Sequence, residues 1–84
     1  MVKKILLLED EELMINLLGR KLAQEGYEVS IAKDGIEGLE KMKKTKPDIV
    51  LLDIVMPRMG GFEVMEEMVK NEELKKIPVI VISN

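Results

Sequence analysis

The sequence predicts an α/β domain: a parallel sheet with single helices between its strands. Three observations carry that expectation. Short runs at residues 5–8, 49–52 and 79–82 are wholly apolar, as strands covered on both faces are. The stretches between them repeat apolar residues at helical spacing, the mark of helices with one buried face. Strand and helix then alternate singly along the chain, which implies parallel pairing through right-handed crossovers.

Taken in order, residues 4–8 form the first strand, which ends in four acids, Glu9, Asp10, Glu11 and Glu12. From Leu13 the period changes, and Leu13, Met14, Leu17, Leu18 and Leu22 predict an amphipathic helix that stops at Gly26. Residues 27–32 alternate loosely and predict a second, shorter strand. Asp34 stands three residues before Glu37, a capping-box-like start, and Ile36, Leu39 and Met42 give the next helix its buried stripe. Pro47 limits that helix, because the residue before proline avoids helical geometry. Residues 48–52 form a third strand that runs into Asp53. A loop with Pro57, Gly60 and Gly61 leads to a third helix, whose expected buried face is Phe62, Met65, Met68 and Val69. Pro78 opens the last strand, residues 79–82, followed by Ser83 and Asn84.

The 84 residues suffice for one small domain, and they contain no repeat, linker or low-complexity stretch. The net charge is −3 with both signs interspersed, so no nucleic-acid partner is expected of this segment. The lysines of residues 41–46 read as a solvated helix end, where cations are favoured. Cysteine and histidine are absent, which excludes disulfides, zinc fingers and histidine acid–base catalysis. A cytoplasmic location fits that composition. The N-terminus turns acidic at Glu9, too soon for a signal peptide, and no apolar run reaches membrane-spanning length.

The chemistry is expected where the strands end. The first ends in Glu9-Asp10 and the third at Asp53. In open parallel sheets ligands bind beyond the carboxyl ends of the strands, where chain order reverses. If those two strands are neighbours, three carboxylates converge, and like charges so placed repel. A divalent cation relieves the repulsion, and magnesium suits best because it takes one or two carboxylates and keeps water and phosphate oxygens. The competing reading is a set of solvated acids at a helix start, favoured by the helix dipole. Ser83 offers a hydroxyl for a phosphoryl oxygen, or a turn residue.

Three segments together, Ile5-Leu6-Leu7-Leu8-Glu9-Asp10-Glu11, Asp53-Ile54-Val55-Met56-Pro57-Arg58-Met59-Gly60-Gly61 and Pro78-Val79-Ile80-Val81-Ile82-Ser83, resemble the receiver domain of two-component response regulators. The match covers essentially the whole chain, in the same order and at the same intervals. The resemblance implies a flavodoxin-like sheet of order 2-1-3-4 with three helices. Residues 1–84 would then be a partial receiver domain, truncated to four strands and lacking the last helix-strand-helix. It implies that Asp53 is the phosphoacceptor, that Asp10 ligates Mg2+, and that Glu9 does so directly or through water. The backbone carbonyl of Val55 would be a further ligand, and Ser83 would contact the phosphoryl group and move on activation. The donor would be a phosphohistidine on a sensor histidine kinase, or a small acyl phosphate. The domain would be a signalling acceptor rather than an enzyme, its chemistry confined to its own phosphorylation.

The sequence departs from the family pattern in three places. The family's lysine and aromatic switch residue, carried on a fifth strand, have no counterpart here. Gly60 stands where an aspartate is common, and Asn84 where a small residue is common. A sheet ending at residues 78–83 would expose an apolar edge, so self-association through that strand is expected. The alternative reading is a receiver-derived structural fragment, or a design or chimera building block, that folds or dimerises without phosphotransfer. A haloacid-dehalogenase-type phosphatase would need an acid two residues after its nucleophile, where this chain has Val55.

Overall fold

In a computed structural model, which describes residues 2–82, the apolar runs become the strands of one sheet. The elements are β1 (Lys4–Leu8), α1 (Glu12–Gln24), β2 (Glu28–Ala32), α2 (Gly35–Thr45), β3 (Ile49–Leu52), α3 (Gly61–Val69), a 3-10 turn (Leu74–Lys76) and β4 (Val79–Val81). The strands are all parallel in the order β2-β1-β3-β4. Alternate residues of each strand face opposite layers. Leu6, Leu8, Val50 and Leu52 point toward α2 and α3, among Met42, Val64, Met68 and Leu74. Ile5, Leu7 and Leu51 point toward α1, against Leu18 and Leu22. This two-sided burial is why the strands read as unbroken apolar runs.

The register sets where the chain leaves the sheet. Leu8 lies beside both Ala32 and Leu52, so β1 and β3 end level with one another. Main-chain bonds carry the pairing one step further: Asp53 N–H donates to Leu8 C=O at 3.0 Å, and Glu9 N–H to Ala32 C=O at 3.0 Å. Asp53 and Glu9 are thereby fixed at the sheet's carboxyl edge before their side chains make any contact.

Helix positions follow the sequence expectation, but three helix faces are rotated from it. In α1 the buried residue is Ile15, with Met14, Leu18 and Leu22 half-buried and Leu13 and Leu17 exposed. In α2 the face on the sheet is Gly35, Gly38 and Met42, while Ile36 is exposed. A Cβ at Gly38 would come within 2.9 Å of Leu8 Cγ, so α2 lies too close to β1 for any larger residue. In α3 the buried face is Gly61, Val64 and Met68, whereas Phe62 and Val69 are exposed and Met65 is half-buried. Its phase is set at the first residue, because Gly61 packs on the backbone of Asp53 and Ile54.

The caps explain the helix boundaries. Asp34 Oδ1 accepts from Glu37 N–H at 2.9 Å, and Glu37 Oε1 accepts from Lys33 N–H at 2.9 Å, one residue before the expected partner. Lys46, before Pro47, ends α2 with a left-handed φ of 49°. The 3-10 turn was not expected. It follows from Asn71, whose Oδ1 accepts from Glu73 N–H at 2.9 Å and Leu74 N–H at 3.0 Å and so turns Leu74 into the core.

Candidate functional site

Glu9, Asp10 and Asp53 each present a carboxylate oxygen, and these oxygens lie within 4.8 Å of one another. Two features of the fold bring them together: the level ends of β1 and β3, and the turn into α1 immediately after β1. Their surroundings differ. Glu9 is buried, Asp53 half-buried and Asp10 exposed. Burial pushes the Glu9 carboxyl above its ordinary range, and the charges of Asp53 and Asp10 push the same way. The Glu11 N–H, which donates to Glu9 Oε2 at 3.1 Å, opposes the shift.

The loop after Asp53 is held at several points. Gly61 N–H donates to Ile54 C=O at 2.7 Å, Met59 N–H to Pro57 C=O at 2.7 Å, and Gly60 N–H to Glu63 Oε1 at 3.2 Å. Met56 is buried among the core residues under α2 and α3, while the Val55 side chain stands in solvent. Val55 N–H lies 3.4 Å from Asp53 Oδ1, a long contact. Of the residues expected at the site, Glu9, Asp10 and Asp53 meet, and Val55 follows in the adjoining loop. Ser83, the expected phosphoryl contact, and Asn84 lie outside the described residues.

The donor set fits a hard divalent cation. All three groups are carboxylates, which suit magnesium, manganese or calcium rather than zinc or copper. Their mutual spacing is on the scale one small cation bridges with oxygens at about 2.0–2.1 Å. Two residues escaped the sequence reading in this role. Arg58 donates through Nε to Asp34 Oδ2 at 3.1 Å and through Nη2 to the same oxygen, tying the loop to the start of α2. The hydrogen bonds from Glu37 N–H and Arg58 hold the Asp34 carboxyl below its ordinary range. The one available signal was a guanidinium within a loop of turn residues; nothing in the sequence marks Asp34 as its partner.

Comparison with known proteins gives a consistent result. A sequence profile of the response regulator receiver domain matches residues 5–84. The chain is 36% identical over 83 residues to the alkaline phosphatase synthesis transcriptional regulatory protein PhoP of Bacillus subtilis, covering 99% of this chain and 34% of that protein. It therefore spans about a third of that relative's length. Among solved structures, the phosphorylated cyanobacterial phytochrome response regulator RcpA superposes with a TM-score of 0.90 at 35% identity, over 99% of this chain and 66% of that one. The receiver domain of sensor histidine kinase PA1611 from Pseudomonas aeruginosa, with magnesium coordinated in its active-site cleft, superposes at 0.91 with 26% identity, over 96% of this chain and 66% of that one.

Proposed function

The chain belongs to the response regulator receiver domain family, and from that premise we propose that Asp53 is its phosphoacceptor, served by a magnesium ion held between Glu9, Asp10 and Asp53. The observation that carries the proposal is the convergence of those three carboxylates at the carboxyl ends of β1 and β3. In this reading an oxygen of Asp53 bonds to phosphorus, and the bond from phosphorus to its former carrier breaks. The electron pair leaves with the imidazole of a phosphohistidine on a sensor kinase, or with the carboxylate of a small acyl phosphate. When bound, the ion would offset the charge on the phosphoryl oxygens and the acids.

Asp10 and Glu9 would hold the cation, Glu9 directly or through water, and the Val55 carbonyl would be a further ligand. Ser83 would donate its hydroxyl to a phosphoryl oxygen. Asp53 is placed for attack by its main-chain bond to β1 and by the half-buried position that leaves a face open to solvent. The protein thus acts as a signalling acceptor in the cytoplasm and turns over no separate substrate. Among the described residues no helix is long and apolar enough to cross a membrane.

The test is intact-mass spectrometry after incubation with acetyl phosphate and magnesium, with Asp53→Asn alongside. A phosphoryl mass gain in the parent and none in the variant is expected. A gain retained in the variant moves the acceptor to another residue. No gain in folded parent protein removes acyl phosphate as a donor and counts against the site as drawn.

A further inference from the structure

Arg58 stands in the loop between Asp53 and α3 with a left-handed φ of 64°. Across it, Met59 N–H donates to Pro57 C=O at 2.7 Å, which closes a three-residue turn of the strained sense. A side chain with a Cβ disfavours that conformation, and it persists only where the surroundings over-determine it. The start of α2 supplies those surroundings. Arg58 reaches Asp34 Oδ2 through Nε at 3.1 Å and through Nη2. Gly35 N–H donates to Met59 C=O at 2.9 Å. A Cβ on Gly35 would lie 2.8 Å from Met59 Cβ, so glycine is needed for so close an approach. Asp34 is itself buried, and its other oxygen is engaged by Glu37 N–H. One carboxylate therefore caps α2 with Oδ1 and holds Arg58 with Oδ2.

We propose that the Arg58–Asp34 pair is a positioning clamp for the acceptor site. It presses the turn at residues 57–59 against α2 and so sets the path of residues 53–60, including where the Val55 carbonyl stands relative to Glu9, Asp10 and Asp53. Arg58 is three residues from Val55, and between them only Met56 is anchored in the core. Without the clamp the turn relaxes from its strained φ and the Val55 peptide loses its fixed place. This inference rests on reading the carboxylate cluster as a magnesium site. Asp34→Asn separates the clamp from the helix cap, since asparagine caps as well as aspartate but its amide nitrogen cannot accept from a guanidinium.

The experiment is nuclear magnetic resonance on the labelled 84-residue chain, first for amide exchange without metal, then with magnesium titrated against the amide shifts of Asp10 and Asp53. In Arg58→Ala and Asp34→Asn, exchange at Gly35 and Met59 should quicken about tenfold. Magnesium affinity should fall about tenfold, as when a group supporting a ligand is removed. Circular dichroism should report unchanged helix content in Asp34→Asn. Arg58→Lys should recover part of the affinity, keeping the charge without the fork. Faster exchange with unchanged magnesium affinity overturns the positioning role, and unchanged exchange overturns the clamp itself. If the parent gives no magnesium response, the metal-site reading fails separately, and the exchange arm still decides whether the clamp exists.

Discussion

Glu9 is the most buried member of the acid cluster, and its environment makes ionisation costly. Because its carboxyl is raised in the folded protein, its contribution to stability is full below the ordinary glutamate range and is lost as pH rises through the raised value. Asp34 and Glu37 have the opposite sign. Their carboxyls are held low, Asp34 by Glu37 N–H and Arg58, Glu37 by Lys33 N–H and Lys41, so their contribution is full at neutral pH and lost in acid. The metal-free chain should therefore lose stability on both sides of a maximum on the acid side of neutrality. Urea unfolding across pH with a chelator present checks this. Asp53→Asn should lift the neutral limb by at least about 1 kcal/mol, since two unit charges about 4 Å apart repel by about that much in bulk water and more strongly beside a buried group such as Glu9. Asp34→Asn should flatten the acid limb. An unchanged profile in Asp53→Asn would mean that the three acids do not feel one another. The cluster was legible in the sequence because acids directly following apolar strands have one place to go. The Arg58–Asp34 pair was not, since 24 residues separate the partners and only the folded loop joins them.

At the scale of elements, the sequence identified every strand and long helix and, in α2 and α3, part of each buried face: Leu39, Met42, Met65 and Met68 do pack on the core, whereas Ile36, Phe62 and Val69 do not. Apolar periodicity assumes that large side chains do the packing. Here glycines do, at Gly38 and Gly61, and they let the helix backbone approach, turning Ile36, Phe62 and Val69 outward. Such a face is invisible to a pattern built on side-chain size, and the turn at Leu74 was invisible because it depends on one asparagine side chain. A paired substitution tests the account. Glycine to alanine in a helix gains about 0.8–1.0 kcal/mol of intrinsic propensity. At Gly19 of α1 the nearest atom to an added Cβ is Ile31 Cδ1 at 4.0 Å, so that gain should be realised. At Gly38 the new methyl meets Leu8, which is fully buried and cannot withdraw. Overpacking costs about 1–3 kcal/mol and should exceed the gain. Gly19→Ala should therefore raise the urea midpoint and Gly38→Ala lower it. Equal shifts in both would show that backbone propensity alone governs these sites and that close packing does not.

For the molecule as a whole, the two edges of the sheet are unequal. β2 begins at Glu28 and carries Ser30, polar residues that discourage pairing with another chain. β4 offers Val79, Ile80 and Val81, with the last two about half exposed, and among the described residues no strand pairs with its outer side. The layer beside it is also thin. On the α1 face an apolar hollow lies between Leu22, Ile5, Leu51 and Ile80, and on the other face Phe62 and Val69 of α3 are bare. Unpaired main-chain groups beside exposed apolar side chains are the conditions under which strands add across an edge. We therefore expect the isolated 84-residue chain to self-associate through β4, giving a mass that rises with concentration in sedimentation equilibrium. Ile80→Lys should weaken that association, because a charge on the edge must be desolvated when a second strand docks, while in the monomer the half-exposed position 80 lets the ammonium reach water. Circular dichroism of the variant should match the parent. A parent mass that stays monomeric across the concentration range would rule out the edge as a contact. Association undiminished by Ile80→Lys would transfer it to the α3 face, where Phe62→Ser is the variant to compare.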